Sequence, residues 1–133
     1  MAASQAMIEA DAAVCQAALK FSKLYYDAFD RRRNVVNKMY TDSASLVWNG
    51  EAVVGRDNIA TFLDNLPDSE HSLKSLDSQT VNDQVMNGQK TMLLLSAGTV
   101  MYSGRQRSFS QTIILVNEGE VWKIASDRFR FID

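Results

Sequence analysis

The sequence predicts an α+β domain in which three helices toward the N-terminus pack on one face of a curved antiparallel β-sheet. Three observations predict it. Apolar residues recur at helical period in the first half of the chain, and turn dipeptides divide the second half into long strand-like runs. The gaps between those runs are too short for the crossovers that parallel neighbours need. With 133 residues, 46% of them apolar, the chain can bury one good core, so residues 1–133 are expected to form a single domain.

The first helix is read from Val14, Ala18, Phe21, Tyr25, Ala28 and Phe29, which follow one another at helical spacing and define one face ending near Phe29. Asp30 is placed to N-cap a short second helix that turns Val35, Val36, Met39 and Tyr40 inward. Leu46-Val47-Trp48 and Ala52-Val53-Val54 flank Asn49-Gly50, a strong hairpin signal because both central residues of a type I′ turn need positive φ. The third helix carries Ile59, Phe62, Leu63 and Leu66 on one stripe, and Pro67 stops it. Asn87-Gly88, Ser103-Gly104 and Glu118-Gly119 then separate strands around Leu73 to Val85, Thr91 to Tyr102, Arg107 to Val116 and Val121 to Phe131. These four strands are expected to form an antiparallel meander.

Charge and composition narrow the function. A formal charge of -2 gives no overall positive field for a phosphate backbone, so direct nucleic-acid contact is not expected. The segment from Met1 to Ala13 carries Glu9 and Asp11 and lacks the basic and apolar blocks of a secretory signal. The longest apolar stretch, Met92 to Leu95, is far below the roughly 20 residues that cross a bilayer. A single cysteine, Cys15, excludes an internal disulfide, fits a reducing compartment, and reads as buried filler in an alanine-rich helix.

The long strands do not alternate cleanly between apolar and polar. Ile113 and Leu115 face one way while Ile114 and Val116 face the other, and on the preceding strand Met92, Leu94 and Ala97 mix with Leu93 and Leu95. If the helices cover one face, the second apolar face needs cover, for which a partner protein is the economical answer and a sheet curled strongly enough to hide both faces the alternative. On the last strand Trp122, Ile124, Ser126, Arg128 and Arg130 share one parity, which aims two arginines from the same side. They read either as solvated surface charges, the usual fate of arginine, or as ion-pair donors in an interface, where Arg130 calls for a carboxylate on the partner that its planar fork suits.

Residues able to support catalysis exist. Tyr25, Tyr26, Asp77, Asp127 and His71 would be the acid, base or donor groups of an isomerase-like cavity. Each has a plainer reading: Tyr25 in the core stripe, Tyr26 on the adjoining helix surface, His71 at an exposed strand start. His71 and Cys15 alone make no metal set, so neither metal nor cofactor is expected. Arg31-Arg32-Arg33 reads as a solvated run pairing with Asp27 or Asp30.

The runs Leu24-Tyr25-Tyr26-x-x-Phe29-Asp30-x-Arg32, Leu46-Val47-Trp48-Asn49-Gly50, Leu66-Pro67 and Val121-Trp122-Lys123-Ile124-Ala125-Ser126-Asp127-x-Phe129-Arg130-Phe131 resemble the nuclear transport factor 2-like family. Within it, Asp30-Arg31-Arg32-Arg33 and the Trp-Asn-Gly turn look like the export-protein branch. The resemblance implies a cone-shaped fold whose open sheet face forms a dimer. For the export branch it implies a non-enzymatic adaptor that heterodimerises with the like-folded domain of the nuclear RNA export receptor. Such a subunit would support mRNA export through nuclear pores, reach nucleoporins through the complex, and shuttle between nucleus and cytoplasm. The family's other occupations are a homodimeric carrier of GDP-bound Ran and a small isomerase or dehydratase. Ran recognition there uses acidic residues where this chain has Asn49 and Ser103-Gly104-Arg105, so Ran binding is not expected. By resemblance the dimer face includes Leu95, Thr112, Arg128 and Arg130, with Arg130 pairing with an acidic residue of the receptor. Where nuclear transport factor 2 tends to place methionine, Leu95, Thr112 and Arg128 would weaken self-association. Gln111 is expected to point into the cone.

Overall fold

The structure is a computed structural model that describes residues 5–81 and 90–133. Helix α1 (Gln5–Arg31) leads into a 3-10 helix (Arg33–Met39), the hairpin β1 (Tyr40–Trp48) and β2 (Glu51–Val54), and helix α2 (Arg56–Asp64). Four long strands follow: β3 (Ser69–Val81), β4 (Thr91–Tyr102), β5 (Arg105–Glu118) and β6 (Val121–Phe131). The turn expected at Asn87-Gly88 and the strand end at Val85 lie outside the described residues.

The α+β class and the meander are as the sequence implies. Asn49 and Gly50 take φ of 49° and 89°, and Ser103 and Gly104 repeat the pattern at 49° and 78°, the positive pair a type I′ turn requires. The sheet is larger than the meander, however. Its order is β2-β1-β6-β5-β4-β3, and β1 joins β6 in parallel, with Leu46 opposite Asp127 and Trp48 opposite Phe129. The hairpin therefore extends the same sheet. The second helix is a 3-10 turn with Val36 buried, and Tyr40 belongs to β1, fully buried at its first residue. Asp30 does not cap it: Arg32 occupies the N-cap position without a side-chain bond, and Asp30 serves β3 instead.

Helix α1 is buried along Ala18, Phe21, Tyr25, Ala28 and Phe29, the stripe its spacing requires. Each large side chain so buried contributes about 1.5–3 kcal/mol. The rings of Phe29, Trp48, Phe129 and Phe109 form a stacked series, tightest between Trp48 and Phe129 at 4.0 Å. Both helices lie on this inner face, where Ile59 and Leu63 of α2 join the same core. Helix α2 ends at Asp64, before Pro67 is reached. Among the described residues no helix is long and apolar enough to cross a membrane.

Four expectations from the sequence are corrected. Tyr26 is 7% exposed and not on the helix surface, because the concave sheet wraps two sides of α1 and takes both tyrosines. The His71 side chain is 2% exposed, enclosed by Tyr26, Phe29, Phe109 and Phe129, with Nδ1 donating to Asp30 Oδ1 at 2.7 Å. Cys15 is exposed on the flank of α1 beside Ser78, so it is not filler. Arg31 and Arg32 do pair with Asp27, but Arg33 is no solvated charge. Its guanidinium donates to the carbonyls of Phe29, Leu63, Leu66 and Pro67 and to Ser69 Oγ, at 2.7–3.2 Å, and covers the Phe29 ring. It fastens the end of α1 to the segment between α2 and β3. An ammonium cannot reach this set, so Arg33→Lys is expected to cost about 2 kcal/mol, read as a lower urea midpoint.

Sheet curvature depends on irregular pairing. Strand β3 slips register between Leu73 and Ser75, and this bulge presses on Gly98 of β4. A Cβ at Gly98 would run into the Ser72 carbonyl, backbone that cannot rotate away. Gly98→Ala is expected to lose stability at the upper end of about 1–3 kcal/mol, measurable by denaturant unfolding.

Candidate partner interface

The outer sheet face is built by alternation. On β4, Met92, Leu94, Ser96 and Val100 are buried against the helices, while Leu93, Leu95, Ala97 and Met101 point the other way. Ladder register then aligns outward residues across strands. One row runs Val47, Arg128, Thr112, Leu95, Asp77 across β1, β6, β5, β4 and β3. The next row holds Arg130, Ser110, Ala97 and Ser75, and the row on the other side holds Ser45, Ser126, Ile114, Leu93 and Gln79. Of the four positions expected on the dimer face, Leu95, Thr112 and Arg128 share one row and Arg130 sits in the adjacent one.

Among the described residues nothing covers this face. Leu95 is 38% exposed, Arg128 and Arg130 are exposed, and Val47, Leu93, Ala97, Thr112 and Ile114 are half-buried. Val47, Thr112, Arg128 and Arg130, with the Asn49-Gly50 turn, border an open hollow of about 750 Å³. Among the described residues, Arg31, Arg32, Arg56 and Arg107 are in ion pairs, whereas Arg128 and Arg130 are in none. The only carboxylate in the central row is Asp77, at its far edge. The arrangement offers a partner an apolar strip crossed by two unneutralised guanidinium groups.

The parity read from the sequence fails within β6. Ser126, Arg128 and Arg130 do share the outer face, but Ile124 is fully buried and Trp122 packs against the core with it. Ser126 pairs with Ile114 and Ile124 with Leu115, so Ala125 is the extra residue of a bulge. One inserted residue flips every side chain before it to the opposite face.

Behind the sheet lies a buried polar network. Tyr40 donates to Asp127 Oδ2 at 2.7 Å, Tyr25 lies 3.3 Å from the same oxygen, and Gln111 Nε2 donates to Oδ1 at 2.8 Å. Tyr26 donates to Gln111 Oε1 and meets Ser96 Oγ at 2.7 Å. Gln111 thus points inward as expected. Burial raises the Asp127 carboxyl above its ordinary range, and the bonds from Gln111, Tyr40 and Tyr25 offset this only in part. Burial likewise raises Tyr25, Tyr26 and Tyr40. At Asp30, burial works upward too, but the bonds from the His71 ring, the His71 backbone and Ser69 hold it below the ordinary value.

Three of the five residues weighed for catalysis therefore join this network with Tyr40, namely Tyr25, Tyr26 and Asp127, while His71 is enclosed apart from it on Asp30. Tyr25, Tyr40 and Asp127 are each no more than 1% exposed, and the rings of Phe21, Tyr26 and Phe29 pack against Tyr25. Asp77 stands apart on exposed β3. Tyr26 and His71 border an open polar hollow with Asp27, Asp30, Arg31, Ser69 and Glu70. Reading the sequence missed Tyr40 and Ser96 as network members. The signal was there: Ser96 and Gln111 are polar residues on the inward parity of otherwise apolar strands.

A family model for the nuclear transport factor 2 domain matches residues 17–131, nearly the whole fold just described. The chain belongs to the nuclear transport factor 2 domain family. It is 43% identical to the human NTF2-related export protein 2 over 90% of this chain and 87% of that protein. It is 36% identical to the NTF2-related export protein of Caenorhabditis elegans, over 100% of this chain and 98% of that one. Among solved structures, nuclear transport factor 2 from Cryptosporidium parvum superposes with a TM-score of 0.79 at 23% identity, covering 90% of this chain and 94% of that one. That likeness is one of fold.

Proposed function

We propose that this member of the nuclear transport factor 2 family is a non-enzymatic export adaptor. Its outer sheet face docks on the like-folded domain of the nuclear RNA export receptor, and the heterodimer supports passage of mRNA through nuclear pores. The observation that carries the reading is the uncovered row of Leu95, Thr112 and Arg128, with Arg130 beside it. A strip of half-buried aliphatic side chains flanking unpaired arginines suits an obligate partner better than water. The names of the relatives, export proteins at 36–43% identity, support the same role.

The subunit works without cofactor or metal. It stabilises the receptor's own domain, and contact with nucleoporins is made through the complex. It shuttles between nucleus and cytoplasm with its partner. A carrier of GDP-bound Ran is disfavoured by charge: Asn49 stands at the β1–β2 turn and Arg105 follows the β4–β5 turn, where that role calls for carboxylates.

Co-expression with the receptor's domain followed by size exclusion tests the reading. A stable one-to-one complex is expected, together with no retention on immobilised GDP-bound Ran. A chain that elutes as a homodimer in the receptor's presence, or that is held by Ran, overturns it.

A further inference from the structure

A second surface lies on the helix side of the molecule and shares none of the four positions assigned to the receptor. Phe21 of α1, Met39 at the end of the 3-10 helix and Trp122 of β6 border a groove of about 430 Å³. That volume is within the range of about 300–1,000 Å³ typical of ligand sites. Its rim is apolar as well: Leu24 is 50% exposed and Val121 is 55% exposed.

The charge around this groove departs from that of the chain. The protein carries a formal -2, yet three of the four charged residues lining the groove are lysines, Lys20, Lys38 and Lys123, against Glu120 alone. Lys123 is 3.7 Å from Glu118, whereas Lys20 and Lys38 are in no ion pair among the described residues. An apolar slot flanked by free ammonium groups is complementary to an apolar side chain carried between carboxylates.

We propose that this groove docks a short acidic segment of a second partner protein, which seats one aromatic or aliphatic side chain on Phe21, Met39 and Trp122 and lays carboxylates on Lys20 and Lys38. A folded domain would need a broader apolar surface than this slot. Single-stranded RNA would meet the lysines but also Glu120, with Phe21 and Trp122 as the two rings lining the groove. The proposal does not rest on the receptor reading, since the two faces use different residues.

The test selects binders from a random peptide display library on the full chain and measures them by fluorescence anisotropy. Enriched peptides should be acidic around one large apolar residue and should weaken with added salt. The Lys20→Glu, Lys38→Glu double variant, checked for folding by circular dichroism, should bind them roughly tenfold or more weakly. Leu24→Asp should weaken them too. The proposal fails if no peptide is enriched, if enriched peptides lack acidic residues, if the double variant binds equally well, or if oligouridine binds more tightly than the peptides. Receptor binding is measured alongside, and its retention in the double variant separates failure of this groove from failure of the outer face.

Discussion

Arg130→Asp is expected to weaken the complex with the receptor domain by about 2–5 kcal/mol, while the chain's own thermal midpoint stays where it was. The two halves of this expectation have one cause. In the isolated chain Arg130 is exposed and in no ion pair among the described residues, so the fold asks nothing of its charge. In the proposed complex its place beside the row formed by Arg128, Thr112 and Leu95 would desolvate it, which would make a carboxylate partner necessary. The substitution removes that pair and sets an acid against the acid it should have met. Isothermal titration calorimetry reads the affinity. The assignment of Arg130 fails if affinity is unchanged. A fall in the isolated chain's midpoint would mean that the side chain supports the fold. Raised salt should recover little of the loss, because a buried pair is poorly screened.

The outer face was legible in the sequence because its signal is local. Leu93, Leu95, Ile114, Arg128 and Arg130 reveal their side by alternation, and Asn49-Gly50 and Ser103-Gly104 mark where strands reverse. What escaped depends on contacts distant in the chain or on a break in period. The bulge at Ala125 sits in Lys123-Ile124-Ala125-Ser126, which contains no glycine or proline to announce it. Parity counted back from Arg128 therefore sent Ile124 and Trp122 to the wrong face. The parallel seam between β1 and β6 joins residues some eighty positions apart, and neither strand's pattern names its neighbour. Tyr26 and His71 were misplaced for a geometric reason. A flat sheet would cover one side of α1, but this one curls until β3 and β4 reach Tyr26, and His71 turns inward with them. Asp30 followed as a consequence: once His71 is inside, its ring and backbone N–H groups need an acceptor, and Asp30 is the one they reach.

The interior network yields the second large effect. Asp127→Ala is expected to destabilise the chain by about 3 kcal/mol or more, since Tyr40, Tyr25 and Gln111 lose their common acceptor at a buried site. Asp127→Asn should cost far less, because an amide of the same shape accepts from Gln111 and donates to a tyrosine oxygen. The pair differ in pH dependence as well. Burial holds the Asp127 proton more tightly in the folded chain than in the unfolded one. The stability this gives is complete below the ordinary carboxylate value of 3.8 and is lost as pH rises through the raised folded value. Asp30 acts in the opposite sense: its stabilisation is present above the ordinary range and is lost as pH falls through its depressed value. Asp127→Asn deletes the first dependence and keeps the second, so its stability relative to the parent should rise from acid to neutral pH. Urea unfolding of both proteins across that interval measures the difference, and parallel curves would show that Asp127 ionises as freely in the core as in water.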